Sequence, residues 1–136
     1  ELWKITDIDP QVLNTVKDML RDVVEHPDGT GKNSKVNGVS VAGKTGSVQV
    51  VSLKRNRNFE DVSMKWREHA LFAAFAPVDN PEIALAIVSE NDAVGGGGAS
   101  AAPVAGKIIK AFFRLKKERL QANKIARGPQ VPPKSE

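Results

Sequence analysis

The sequence predicts an α+β domain in which an antiparallel meander of three strands lies between an N-terminal and a C-terminal helix. Apolar residues recur at helical spacing over residues 10–25 and again after Ala101. Between these stretches are three β-forming runs, at residues 39–53, 71–76 and 83–88. The last two runs are joined by the turn signal P-V-D-N-P, and three strands joined in sequence favour an antiparallel meander.

The two predicted helices carry end signals and apolar faces. Asp9 can cap the first helix and Pro10 fits its first turn, while His26-Pro27-Asp28-Gly29 ends it. We predict the second helix from Ala101 to about Gln121. The faces expected to pack on the sheet are Leu13, Val16, Leu20, Val23 and Val24 in the first helix, and Val104, Ile108, Ala111, Phe112 and Leu115 in the second.

Charge is unevenly distributed along the chain. Residues 105–136 hold 9 Lys and Arg against 2 Asp and Glu, net +7, whereas the other 104 residues hold 11 against 14, net −3. The net positive charge therefore belongs to the C-terminal end. The rest of the chain shows no basic face, so we predict no nucleic-acid partner. We predict that residues 121–136, which are basic and contain prolines, form a flexible tail.

Several classes of site and segment are excluded by composition. The chain has no cysteine, which excludes disulfides and thiolate metal sites. Its two histidines are a poor metal site without further ligands, and we predict neither a metal nor a cofactor. The sequence contains no signal peptide and no apolar run long enough to span a bilayer.

One short stretch, Gly43-Lys44-Thr45-Gly46-Ser47, concentrates the polar chemistry. Residues that favour strands flank it, so we expect it within a strand, where side chains alternate between faces. Lys44 then points to one face, and Thr45 and Ser47 point together to the other. Gly43 and Gly46 remove side-chain bulk where another group must approach the backbone. A cation, two hydroxyls and open N–H groups at a strand edge predict a site for an anionic, peptide-like ligand.

The stretch A-G-K-T-G-S-V-Q-V at residues 42–50 resembles the lysine-threonine-glycine motif of the penicillin-binding proteins, the serine D,D-transpeptidases that cross-link peptidoglycan. The surrounding order is similar too. Val23-Val24 and a Gly29-Thr30-Gly31 turn precede the motif, and the strands L-F-A-A-F-A-P-V-D-N and E-I-A-L-A-I-V-S-E-N follow it. A glycine run and A-A-P-V-A at residues 101–105 resemble the turn into the last helix.

This likeness extends from about Leu2 to about Leu115 and is greatest to the class B, elongation-specific subgroup of the penicillin-binding protein 2 type. It implies part of a serine β-lactamase/penicillin-binding-protein-like transpeptidase fold. Residues 1–120 would be the C-terminal portion of the transpeptidase domain, and residues 121–136 the tail.

The resemblance also implies roles for the motif. In the family, a serine attacks the peptide bond between two D-alanines, and a neighbouring amine then takes the acyl group. Lys44 would place positive charge near the substrate carboxylate, and Thr45 and Ser47 would hydrogen-bond it. The Ser47 N–H, beside Gly46, would be half of the oxyanion hole. Further substrate contacts would be Gln49 and, at the rim, His69 and Trp66. Otherwise His69 is a partly buried hydrogen-bonding residue, and Trp66 anchors the core or a loop.

The family's nucleophile motif, S-x-x-K, is missing, because none of the eight serines has a lysine three residues later. Its S-x-N motif occurs only as Ser89-Glu90-Asn91, after K-T-G instead of before it, and we interpret this as coincidence. We therefore expect part of a transpeptidase site that is inactive alone. The parent protein would bind D-Ala-D-Ala stem peptides and β-lactams. It would work with a SEDS-type glycan polymerase and elongation-complex proteins at the periplasmic face of the bacterial inner membrane.

Two other functions stay open. A non-catalytic binding fragment or accessory module would hold a partner through its open strand or its basic tail. In addition, residues 38–45 fit the P-loop pattern G-x-x-x-x-G-K-[ST] letter for letter. A P-loop, however, is a loop between a strand and a helix, whereas the residues after Gly46 predict a strand, so the context argues against a nucleotide binder.

Overall fold

A computed structural model describes residues 8–49 and 67–127. Helix α1 spans Pro10–Glu25, a short 3-10 helix spans Lys32–Ser34, strands β1, β2 and β3 span Ala42–Val48, His69–Ala76 and Ile83–Ser89, and helix α2 spans Ala101–Arg127. The three strands form one sheet in the order β1-β2-β3, and both pairs are antiparallel. The predicted α+β meander between two helices is confirmed.

The first strand is shorter than its predicted range of 39–53. β1 begins at Ala42, because Val39 instead forms an isolated bridge with Val36. It ends at Val48, and residues 50–53 of the prediction lie outside the described residues. The other two strands start or end within two residues of their predicted limits.

The hydrophobic core lies on one face of the sheet, between the strands, the C-terminal end of α1 and the N-terminal half of α2. β2 contributes Phe72, Ala74 and Ala76 to it, all at most 5% exposed. The other members include Val24, Val36, Val41, Ala101, Ala102, Ala105 and Ile109. Phe72 is the largest fully buried side chain of this core.

Helix α1 starts where the sequence predicts, because Asp9 Oδ1 accepts a hydrogen bond from the Gln11 N–H at 2.7 Å. Its predicted apolar face is buried only toward the C-terminal end. Val24 is fully buried, but Leu13 and Val16 are 42% and 45% exposed. The prediction of a packed face is therefore correct only for the last turn of the helix.

Helix α2 packs with a different face from the one predicted. Val104, Ile108 and Leu115 are more than 40% exposed, so their assignment to the packed face is wrong. The fully buried positions are Ala101, Ala102, Ala105 and Ile109. Small side chains occupy the packed face because they let the helix approach its neighbours closely. A Cβ on Gly106 would lie only 3.0 Å from the backbone of Ser34.

Helix α2 also continues to Arg127, beyond the predicted end near Gln121. Residues 121–127, expected in a flexible tail, are helical because the segment is rich in strong helix formers, namely Gln, Ala, Lys and Arg. Lys116 pairs with Glu82 and so ties the helix to the start of β3. None of the helices in residues 8–49 and 67–127 is both long and apolar enough to cross a membrane.

Candidate functional site

The residues Lys44 to Ser47 lie inside β1, at the edge of the sheet. In the register with β2, Thr45 is opposite Phe72 and Ser47 is opposite Ala70. In the part of the chain that the structure describes, no further strand pairs with the other side of β1. That side is therefore open to an extended peptide. The P-loop reading is wrong, because Gly43, Lys44 and Thr45 form a strand, with no loop to cradle a phosphate.

The two hydroxyl side chains and the lysine lie on opposite faces of β1, as the sequence predicts. Thr45 and Ser47 line a cavity of about 610 Å³, which we call the binding cavity. Lys44 is exposed and lines a separate, apolar hollow of about 280 Å³ with Leu20 and Phe75. The Lys44 Nζ donates a hydrogen bond to the Thr45 carbonyl oxygen at 2.9 Å. The ammonium group thus reaches back to the strand, beside the residues that face the binding cavity.

The loop after α1 forms one wall of the binding cavity. The Thr30 and Thr45 hydroxyls share a hydrogen bond of 3.0 Å, and Asn33 Nδ2 donates to the Gly98 carbonyl at 2.9 Å. The Gly31 N–H donates to the Val23 carbonyl, which ties this loop to the end of α1. The G-T-G turn was noted in the sequence only as part of a family resemblance. In the structure, its threonine holds the Thr45 hydroxyl.

A second wall is the glycine turn, Gly95–Gly98, which joins β3 to α2. Gly95 and Gly96 have positive φ angles of 122° and 89°. Gly97 lies against the paired strands, because a Cβ there would be 2.1 Å from the Leu71 carbonyl oxygen and 2.9 Å from that of Gly46. Only glycine fits this path. The sequence favours a plain turn here over an anion-binding glycine run, and the structure shows that the turn also lines the binding cavity.

Asp92 holds the glycine turn and was not predicted from the sequence. Its side chain is only 5% exposed. Oδ2 accepts hydrogen bonds from the Gly95 and Gly96 N–H groups at 2.9 and 2.7 Å, and Oδ1 accepts one from the Ser100 hydroxyl. Burial raises the pKa of Asp92, but the hydrogen bonds from Ser100, Gly96 and Gly95 outweigh it and hold the pKa below its usual value. The carboxylate is therefore charged at neutral pH.

Two of the other predicted site residues, Gln49 and His69, do not line the binding cavity. Gln49 is exposed beyond the end of β1. His69 is half-buried at the start of β2, where its Nδ1 accepts the Asn91 N–H at 3.0 Å. Asn91 ends the S-x-N triplet, which begins at the last residue of β3 and does not line the cavity, consistent with coincidence. Trp66 lies outside the described residues.

Within residues 8–49 and 67–127, the geometry can bind an anionic group but does not place a nucleophile beside a base. Thr45 and Ser47 face the binding cavity with their hydroxyls, and the open backbone edge of β1 runs past them. Ser47 and Lys44 lie on opposite faces of the strand, so Lys44 is not placed to take a proton from the Ser47 hydroxyl. The site is suited to holding a substrate whose reacting partner comes from elsewhere.

Comparison with known proteins gives a consistent family. Residues 1–110 match the family described as the penicillin binding protein transpeptidase domain. The peptidoglycan D,D-transpeptidase MrdA of Haemophilus influenzae is 37% identical over 97 residues, which cover 69% of this chain and 15% of that protein. The chain therefore spans only a small share of that relative's length.

Solved structures agree in fold and sequence. The transpeptidase domain of the FtsI4 D,D-transpeptidase from Legionella pneumophila superposes with a TM-score of 0.58 at 34% identity, over 77% of this chain and 37% of that one. PBP2 of Pseudomonas aeruginosa, solved in complex with WCK 5153, superposes with a TM-score of 0.57 at 33% identity, over 76% and 19%. With a family match over 110 residues and these identities, the chain belongs to the penicillin-binding protein transpeptidase domain family.

Proposed function

We propose that this chain is the K-T-G part of a peptidoglycan D,D-transpeptidase, which cross-links stem peptides through an acyl-enzyme during cell elongation. One observation carries the proposal. The motif residues Lys44 to Ser47 occupy an open edge strand whose two hydroxyls face a cavity, in a member of the transpeptidase family. The name of the Haemophilus relative, peptidoglycan D,D-transpeptidase, supports the same activity.

The substrate lies along the open edge of β1 as an added strand. Its terminal carboxylate is held by the hydroxyls of Thr45 and Ser47, with Lys44 supplying positive charge from beside the strand. The hydrogen bond from Thr30 keeps the Thr45 hydroxyl turned toward the cavity. The Ser47 N–H is one of the donors to the oxyanion that forms when the nucleophile attacks. We propose that Gln49 contacts the substrate further along the strand and that His69 contacts it outside the binding cavity. The rim contact of Trp66 stays a prediction, because this residue lies outside the described residues.

The nucleophile belongs to another part of the same domain. Residues 1–120 are its C-terminal portion, and S-x-x-K and S-x-N stand upstream of K-T-G in the parent protein. Two observations support this division: no serine of the chain begins S-x-x-K, and the chain matches 37% of the length of a solved transpeptidase domain. This chain alone therefore neither forms an acyl-enzyme nor cross-links peptides.

The partners and location follow from that activity. The parent protein binds the D-Ala-D-Ala end of the stem peptide and is acylated by β-lactams, which imitate it. It acts at the periplasmic face of the inner membrane, together with a SEDS-type glycan polymerase and other proteins of the elongation complex. No cofactor takes part, because serine acyl transfer needs only a nucleophile, a base and oxyanion donors.

Intact mass after incubation with a penicillin tests the proposal. The measurement compares this chain with a longer protein that adds the upstream sequence containing S-x-x-K. We expect one penicillin adduct on the longer protein and none on this chain. Replacing the serine of S-x-x-K by alanine in the longer protein is the matched control and should abolish the adduct.

Two outcomes would contradict the proposal. If the longer protein takes no adduct, the fold has lost the chemistry, and a non-catalytic binding module is the better reading. An adduct on this chain alone would show that its own residues suffice, which is incompatible with an upstream nucleophile.

A further inference from the structure

We infer that Asp92 is a positioning residue for the proposed transpeptidase site: its buried carboxylate fixes the glycine turn against β1 and thereby sets the position of Ser47. The inference rests on the proposed function, and it concerns a residue that does not touch the substrate.

Asp92 connects three parts of the fold. Its carboxylate accepts the N–H groups of Gly95 and Gly96 in the glycine turn and the hydroxyl of Ser100, the residue before α2. Its own N–H donates to the Glu68 carbonyl at 2.8 Å, just before β2 begins. The side chain of Asp92 thus holds the turn and the start of α2, and its backbone N–H connects them to the start of β2.

The turn that Asp92 holds lies directly on the candidate site. A Cβ on Gly96 would be 3.1 Å from the Ser47 Oγ, and Gly97 packs against the backbone of Gly46. A cavity of about 120 Å³ between them is lined by Ser47, Asp92 and the first two glycines. The turn is also fixed at its other end, where Ala102 donates its N–H to the Gly97 carbonyl at 2.8 Å. Any movement of the turn therefore reaches the Gly46–Ser47 peptide, which carries the proposed oxyanion donor.

A carboxylate suits this place because all three of its partners donate. A carboxylate accepts without donating, and hydrogen bonds to a charged acceptor are roughly twice as strong as neutral ones. Alanine at this position would leave two N–H groups and a hydroxyl without their acceptor. Asparagine would restore most of the network, since its oxygen can accept both glycine N–H groups while its amide donates to the Ser100 oxygen. Asp92→Ala should therefore disturb the turn more than Asp92→Asn.

The position of an oxyanion donor affects the energy of the transition state more than the energy of the first, reversible complex with the ligand. We therefore expect Asp92→Ala to slow acylation by a penicillin in the longer protein, with a smaller effect on its reversible binding. The expected loss is roughly 10-fold in the acylation rate constant, less than the roughly 100-fold cost of removing an oxyanion donor outright. The dissociation constant of the complex before acylation should change by less than about 3-fold.

The experiment measures both constants by stopped-flow with a fluorescent penicillin, in the longer protein and well below its unfolding temperature. The variants are Asp92→Ala, Asp92→Asn and, as a milder change, Ser100→Ala. The control is Asp79→Ala, which removes an exposed aspartate from the turn between β2 and β3. Amide exchange of Gly95 and Gly96 in the present chain is measured in parallel, because it reports on the turn without any chemistry.

The inference is supported if Asp92→Ala slows acylation, Asp92→Asn recovers most of the rate, Asp79→Ala has no effect, and the two glycine amides exchange faster only in the alanine variant. It is overturned, with the proposed function intact, if Asp92→Ala lowers the unfolding temperature but acylates at the wild-type rate. If Asp92→Ala does not fold, Asp92→Asn and Ser100→Ala provide the test. The inference is then overturned if the glycine amides exchange faster in these two variants while both acylate at the wild-type rate. If the wild-type longer protein is not acylated at all, the proposed function fails and the inference fails with it.

Discussion

At the scale of single residues, Gly43 shows how far a sequence pattern can be taken. Glycine inside a β-forming run indicates that another group approaches the backbone, and the structure confirms this. The group is the Phe72 ring, whose Cζ would lie 2.5 Å from a Cβ on Gly43. The need for a glycine could be predicted. Its cause could not, because the two residues meet only after β1 has paired with β2.

The two glycines of the motif should therefore differ in their effect on stability. We expect Gly43→Ala to cost roughly 1–3 kcal/mol in the free energy of unfolding, because the new methyl group overpacks the core between Phe72 and the Ala73 carbonyl. Gly46→Ala is the matched control. Its Cβ would meet nothing closer than the Leu71 Cβ at 3.6 Å, so the change should stay within about 0.5 kcal/mol. Urea unfolding measures both, and equal losses would contradict this packing.

At the scale of elements, the existence and order of the helices and strands could be predicted, but the packed face of α2 could not. Periodicity finds an apolar stripe, and the stripe through Val104 and Ile108 was the most hydrophobic one available. The folded core instead takes up the alanines and Ile109, since small side chains permit a close approach of the helix. The packed face depends on how well the surface of α2 fits the surface it packs on. The hydrophobicity pattern of one helix does not show that fit.

The adjacent isoleucines of α2 test this register. Ile109 is fully buried and Ile108 is 41% exposed. Truncating the first should leave a cavity and cost roughly 2–5 kcal/mol, whereas truncating the second should cost much less. Thermal and urea unfolding of Ile109→Ala and Ile108→Ala make the comparison with identical chemistry at both sites. If Ile108→Ala were the more damaging, the helix would have to be rotated from the orientation described here.

At the scale of the whole molecule, the binding cavity is assembled from three separate stretches: the loop after α1, the strand residues Thr45 to Ser47, and the glycine turn. The sequence supplied the middle stretch directly, because cation, hydroxyls and glycines are adjacent in it. The hydrogen bond between Thr30 and Thr45 and the packing of Gly96 against Ser47 join residues far apart in the chain. Such pairings depend on the folded sheet, so neither composition nor spacing could predict them.

The central claim is that the strand carrying Lys44 forms one wall of a transpeptidase site. The measurement that tests it most directly is the second-order rate constant of penicillin acylation in the longer protein, for wild type, Lys44→Ala and Lys124→Ala. Lys124 is an exposed lysine near the end of α2 and serves as the control for loss of charge. We expect Lys44→Ala to lower the rate constant roughly 100-fold or more, because it removes the positive charge that we propose lies near the substrate carboxylate, and Lys124→Ala to leave it unchanged. A Lys44→Ala variant that acylates as fast as wild type would contradict the claim.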